Sequence, residues 1–204
     1  MNQETIVKCL DLEGWNKITI ADDVTRKCVV YRRGEKAIVG FYQTRKLLDW
    51  LVNFEAWKMG YSVGSKKYKA HAGFVSEYLT LRQNIFEATS DANYIEVHGF
   101  SQGGTHAILM TRDTWYNRPH LETFTVTYGA PRVYSWESAK EFDRAKETAG
   151  MPVIQHRFYG DPVPRVPFKI MGYGDCGLIS WHGKKELPLD ISCHSMDARH
   201  YGGV

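Results

Sequence analysis

The chain has 204 residues, 43% of them hydrophobic and 24% charged, which is long enough for one sizeable core, while its longest apolar runs fall far short of a bilayer span. Its 26 basic and 23 acidic residues leave a net charge of +3, too mild and too dispersed for nucleic acid to be the main partner. Its four cysteines, Cys9, Cys28, Cys176 and Cys193, contain no C-x-x-C pair, so neither a disulfide-stapled fold nor a zinc ribbon is indicated.

One domain covering residues 1–204 is the simplest count. The opening Met1-Asn2-Gln3-Glu4-Thr5 has no basic region leading into an apolar core, so no secretory signal is expected and the default location is cytoplasmic. Residues 27–32 and 36–42 are β-rich runs around Arg33-Gly34-Glu35 and predict an antiparallel hairpin. After Gln43-Thr44, residues 45–52 place Leu47, Leu48, Leu51 and Val52 at helical spacing. Residues 58–69 combine glycines, aromatics and four lysines. The simplest expectation there is a solvated, mobile loop. The sharper one is a short lid, or a surface that meets anionic lipid through Lys58, Lys66, Lys67 and Lys69.

Phe74, Tyr78, Leu81 and Ile85 fall on one helical face, which predicts a packing helix over 74–88. Residues 94–98 read as a short buried strand, and the sequence from Gly103 as a buried helix with no proline before Pro119. Residues 124–128 and 153–158 are two further strands. Between them Ser135 caps a polar helix that Gly150 and Pro152 end. This alternation predicts an α/β fold: a central, mostly parallel sheet with helices on both faces, preceded by the antiparallel hairpin. The segment after Ile191 is short and polar, with one or two helical turns expected.

The chemistry centres on Gly99-Phe100-Ser101-Gln102-Gly103, set between a strand and a helix. A strand that turns sharply into a helix strains the residue at its apex, so its neighbours two before and two after must be very small; Gly99 and Gly103 meet that need. The apex side chain then projects clear of the sheet, and the backbone N–H of Gln102 lies at a helix N-terminus where an oxyanion would form. A serine nucleophile needs a base, and the base an orienting carboxylate, in the chain order serine, acid, histidine. Asp161 emerges directly after the strand 153–158. Of eight histidines only His194 and His200 follow it near the end of the chain, and His194, opening a helical turn, is favoured over His200. His98, His106 and His156 fall within strands or the buried helix, while His71 and His182 are expected in loops. A metal set of Cys176, His182, Cys193 and His194 is the alternative, but its spacing is irregular and adjacent residues point apart. No cofactor is implied.

Several ordered pieces resemble the class 3 lipases of the α/β-hydrolase superfamily. They are Val39-Gly40-Phe41-Tyr42-Gln43-Thr44, Asp49-Trp50-Leu51, His71-Ala72-Gly73-Phe74, Gly99 to Gly104, Tyr128-Gly129-Ala130-Pro131-Arg132-Val133 and Asp161-Pro162-Val163-Pro164-Arg165-Val166-Pro167. The resemblance implies an α/β-hydrolase fold, with Ser101 as nucleophile, Asp161 as carboxylate, His194 as base, and Thr44 with Gln102 as the oxyanion hole. Phe100 and Gln102 stand where the family usually has His and Leu, and Tyr42-Gln43 where it has Arg-Gly. The stretch from Asp49 to His71 is too short and polar for a long amphipathic lid. The expected activity is cleavage of carboxylic esters, lipid esters included, through an acyl-serine. An inert hydrolase-fold binding protein, or an acyltransferase or thioesterase using the same triad, are the alternatives.

Overall fold

Seven strands make up the main sheet of the computed structural model, which describes residues 14–21, 27–42, 57–185 and 188–195. In chain order the strands are β1 (Asn16–Ala21), β2 (Lys27–Arg33), β3 (Lys36–Phe41), β4 (Lys58–Val63), β5 (Lys66–His71), β6 (Tyr94–Phe100), β7 (Glu122–Tyr128), β8 (Val153–Phe158) and β9 (Leu178–His182). The helices are α1 (Ala72–Ala88), α2 (Gln102–Asn117) and α3 (Trp136–Ala149). The sheet order is β1-β2-β3-β6-β7-β8-β9. The first three strands pair antiparallel and β3 onward pair parallel, so the mostly parallel sheet with an antiparallel N-terminal part is as expected.

Alternation explains which face is buried. Ala37, Val39, Ile95 and Val97 are fully buried and share one core with Phe74, Tyr78, Leu81 and Ile85 of α1 and Ile108, Leu109 and Met110 of α2. The other face carries a smaller cluster, Val29, Tyr31 and Ile38, packed by Trp15 and Tyr42. Helix α1 meets α2 through a polar lock as well as through this core. Tyr78 donates to Asp113 (2.7 Å), and Arg82 forms an ion pair with the same buried carboxylate. Helix α3 is capped as the sequence predicts: Ser135 Oγ accepts from the Ser138 N–H, and Gly150 closes the helix at φ +67°.

Residues 58–69 are not the solvated loop expected. They form an antiparallel hairpin, β4 paired with β5, in a second two-stranded sheet. Tyr61, Val63, Tyr68 and Ala70 point inward and are buried, so Lys67 and Lys69 belong to the outward half of a period-two pattern, while Lys66 is exposed beside the turn. Gly64 takes the left-handed conformation that the tight turn requires, at φ +56°. The edge strands β1 and β9 are additions to the sequence expectation, and His71 and His182 end strands instead of lying in loops. The helix expected over 45–52 lies outside the described residues. Among the described residues one helical turn, Ile191–Cys193, follows β9, and residues beyond 195 are likewise outside them. Among the described residues no helix is long and apolar enough to cross a membrane.

Candidate active site

Ser101 sits between the end of β6 and the first residue of α2 with φ 56° and ψ −126°, and among the described residues it is the one non-glycine with positive φ. Such a conformation costs about 1–3 kcal/mol and persists only where the surroundings hold it. They do so here through hydrogen bonds from the Ser101 N–H to Tyr128 O (2.8 Å) and from the Gly104 N–H to Ser101 O (2.9 Å). Small residues make the turn passable. A Cβ on Gly99 would stand 2.3 Å from Gly103 O, and one on Gly103 would stand 2.3 Å from Phe41 O. The serine elbow expected from the sequence is therefore present, with Gln102 opening α2 beside it.

The structure joins His194 to Asp161 and leaves the other described histidines elsewhere. His194 Nδ1 and Asp161 Oδ2 are 2.7 Å apart, and both side chains are buried. Asp161 Oδ1 accepts the Val163 N–H at 2.8 Å, so each carboxylate oxygen has its own donor. Local ties bring the chain end into place. The Asp190 N–H donates to Gly160 O (2.9 Å), Asp190 Oδ1 caps the turn Ile191–Cys193, and His194 follows that turn. Gly129, at φ +60°, keeps the space open: a Cβ there would meet His194 Cε1 at 3.0 Å and Asp161 Oδ2 at 3.1 Å. Ser101 Oγ and His194 Nε2 are both buried, and among the described residues neither has a hydrogen-bond partner. A buried hydroxyl and a buried ring nitrogen without partners are costly to leave so, and each calls for a reason.

Two further motif residues, Arg132 and Arg165, hold neighbouring loops in place. Arg132 donates to Asp175 (2.8 Å), Pro167 O (3.0 Å) and Arg165 O, while its own N–H reaches Val166 O; Arg165 in turn donates to Tyr159 O (2.9 Å). The loop after β7 is thus knitted to the segment that carries Asp161. Beneath the elbow, Glu77 of α1 accepts from the Gln102 side chain and stands 3.4 Å from His106 Nε2. His98 pairs with Glu96 at 3.3 Å. His156 and His182 lie 2.8 Å apart, and burial pushes both imidazoles below their ordinary value, His182 adding to the effect on His156. Thr44 and His200 lie outside the described residues. The four residues of the metal alternative do not gather: His194 binds Asp161, His182 binds His156, and Cys176 O and Sγ receive the Gln155 amide. Among the described residues no group of three or more His, Cys, Asp or Glu could hold a metal ion.

The sequence reading missed one contributor. The ring of Phe100 stacks on His194, a contact visible only once β6 and the chain end are brought together.

Comparison with known proteins agrees with this geometry. The family model "Lipase (class 3)" matches residues 38–171. No curated protein sequence matches. Among solved structures, a lipase from Rhizopus microsporus var. chinensis is 25% identical with a TM-score of 0.69, covering 88% of this chain. The chain spans 64% of that lipase. The Rhizomucor miehei triacylglyceride lipase is 21% identical with a TM-score of 0.69, covering 83% of this chain and 67% of its own. A triacylglycerol lipase described as having a serine protease triad as its catalytic centre is 21% identical with a TM-score of 0.68, covering 82% of this chain and 67% of its own. The sheet, its order and its serine elbow are those of the α/β-hydrolase fold, and the chain belongs to the class 3 lipase family.

Proposed function

We propose that the protein is a serine hydrolase that cleaves carboxylic esters, lipid esters among them, through an acyl-enzyme. The observation that carries this reading is Ser101 held at a strained strand-to-helix apex while His194 and Asp161 are hydrogen-bonded at 2.7 Å. His194 Nε2 takes the proton as Ser101 Oγ attacks the ester carbonyl, forming a tetrahedral oxyanion. The oxyanion collapses, the bond to the alcohol oxygen breaks, and His194 gives its proton to the departing alcohol. Water then attacks the acyl-serine by the same proton route and releases the acid. Asp161 fixes the tautomer with the proton on Nδ1 and stabilises the imidazolium that forms at each step. The backbone amide of Gln102, at the positive end of α2, is the assigned oxyanion donor, with Thr44 as its partner by family position. Each such donor is worth about 3 kcal/mol of barrier.

Ser101→Ala tests this directly. Turnover of short p-nitrophenyl esters is expected to vanish while circular dichroism and the unfolding midpoint are retained. Undiminished turnover in that variant would overturn the mechanism.

A further inference from the structure

Exposed apolar side chains cluster on one edge of the molecule. Trp57, Trp136, Phe168, Ile170 and Met171 are all exposed, Ile170 at 95% and Trp57 at 70%. They adjoin one another. The turn Lys169–Met171 is held between Trp136, whose indole donates to Lys169 O (3.2 Å), and Lys58, whose ammonium donates to Met171 O (2.6 Å). Tyr173, over which Lys58 stands at 4.4 Å, donates to Trp57 O (3.4 Å) and closes the patch.

Positive charge borders this apolar tip. The pairings Gly60↔Lys69 and Ser62↔Lys67 put Lys67 and Lys69 on the outward side of the β4–β5 hairpin. The Lys69 carbonyl accepts the Ser135 N–H, so this basic face abuts the start of α3 and Trp136. Of the acidic groups close by, Asp175 is ringed by Arg132, Arg157 and Lys169, Glu141 pairs with Lys66, and Glu137, bonded to the Ser135 hydroxyl, is an exposed anion beside Lys58 and Lys69. The surface also borders the active edge of the sheet, because the turn continues the segment carrying Asp161 and the His71 N–H donates to Val133 O in the loop after β7.

Tryptophan and phenylalanine settle at the level of lipid headgroups, an aliphatic tip gains by leaving water, and lysines gain from acidic headgroups. From this combination we infer that the edge is a docking surface for an anionic phospholipid membrane, with Phe168 and Ile170 entering the headgroup layer and Lys67 and Lys69 holding acidic headgroups. This replaces the expectation of a basic loop with a rigid hairpin and a fixed apolar tip. It goes beyond the hydrolase reading and does not need it.

The test uses the full chain with Ser101→Ala, so that lipid stays intact, and co-sedimentation with vesicles of phosphatidylcholine alone or mixed with phosphatidylglycerol. The mixed vesicles are expected to capture the protein and the neutral ones to leave it in solution. Lys67→Gln with Lys69→Gln should weaken capture about 25-fold, or about fivefold per lysine, and added salt should do the same. Phe168→Ser with Ile170→Ser should weaken it about tenfold or more. Soluble-ester turnover, measured with Ser101 restored, should stay unchanged in both pairs. Brominated lipid should quench tryptophan fluorescence in the mixed vesicles only. Equal binding to both vesicles, capture indifferent to both pairs, or an apolar pair that dissociates a dimer without changing capture would each overturn the proposal. Vesicle capture without ester turnover would sink the hydrolase reading alone, and turnover without capture the docking surface alone.

Discussion

The Phe100 ring lies on the His194 imidazole, with centroids 4.8 Å apart and planes inclined by 21°. The residue next to Ser101 therefore also braces His194, and Asp161 holds the same ring from its edge. Phe100→Ala is expected to remove an aromatic contact of about 1 kcal/mol and to lower kcat roughly tenfold through a looser imidazole, with KM little changed. Phe100→His keeps a flat ring and should restore most of the rate. Steady-state kinetics on a soluble ester decide it: an undiminished kcat in Phe100→Ala would remove the bracing role.

The elbow depends on close backbone approach as much as on its serine. Gly103→Ala puts a methyl 2.3 Å from Phe41 O, where backbone, not a flexible side chain, must yield. The expected cost is about 3 kcal/mol, a fall of roughly 6–12 °C in Tm for a chain of this size. Gly150→Ala is the control, since φ is +67° there but nothing lies within 4 Å of the new methyl; its cost is about 1 kcal/mol. Thermal unfolding of the two variants should separate them clearly. Equal midpoints would contradict the contact.

What was legible in the sequence follows from period and order. The face Phe74, Tyr78, Leu81, Ile85 announces α1, because an amphipathic helix has a pattern that survives without tertiary context. The pairing of His194 with Asp161 is legible because a serine elbow, an aspartate just after a strand and a late histidine stand in the order such a site would need. The β4–β5 hairpin was hidden by its own lysines: Tyr68 and Ala70 alternate with Lys67 and Lys69, but charge and glycine content suggested a loop. Strand β9 was hidden because Leu178 to His182 is an edge strand whose half-exposed residues show no apolar face. The stacking of Phe100 on His194 and the joining of Arg132 to Asp175 are contacts between distant segments, and no local pattern encodes them.

Acid should act on the network around Asp175. Burial alone would raise its carboxyl, but Arg157, Lys169 and Arg132 overcome this and hold it well below the usual carboxylate range. A carboxyl depressed on folding stabilises above its unfolded value, near pH 4, and loses that stabilisation as pH falls through the folded value. Urea midpoints should therefore drop steeply below about pH 4. Asp175→Asn should be less stable at pH 7, because Arg132 and Arg157 lose their shared anion, and its midpoint should respond less to acid. An acid response as steep as that of the native chain would show that Asp175 is not the group titrating.

The central claim concerns the reactivity of one hydroxyl, and covalent trapping reports on it without any assumption about substrate. A fluorophosphonate reacts with a serine only where a base removes its proton and an oxyanion site receives the new charge. Incubation of the native chain followed by peptide mass spectrometry should find the phosphonyl adduct on Ser101, absent in Ser101→Ala and strongly diminished in His194→Ala. A native chain that remains unlabelled at Ser101, or labels equally well without His194, would contradict the account.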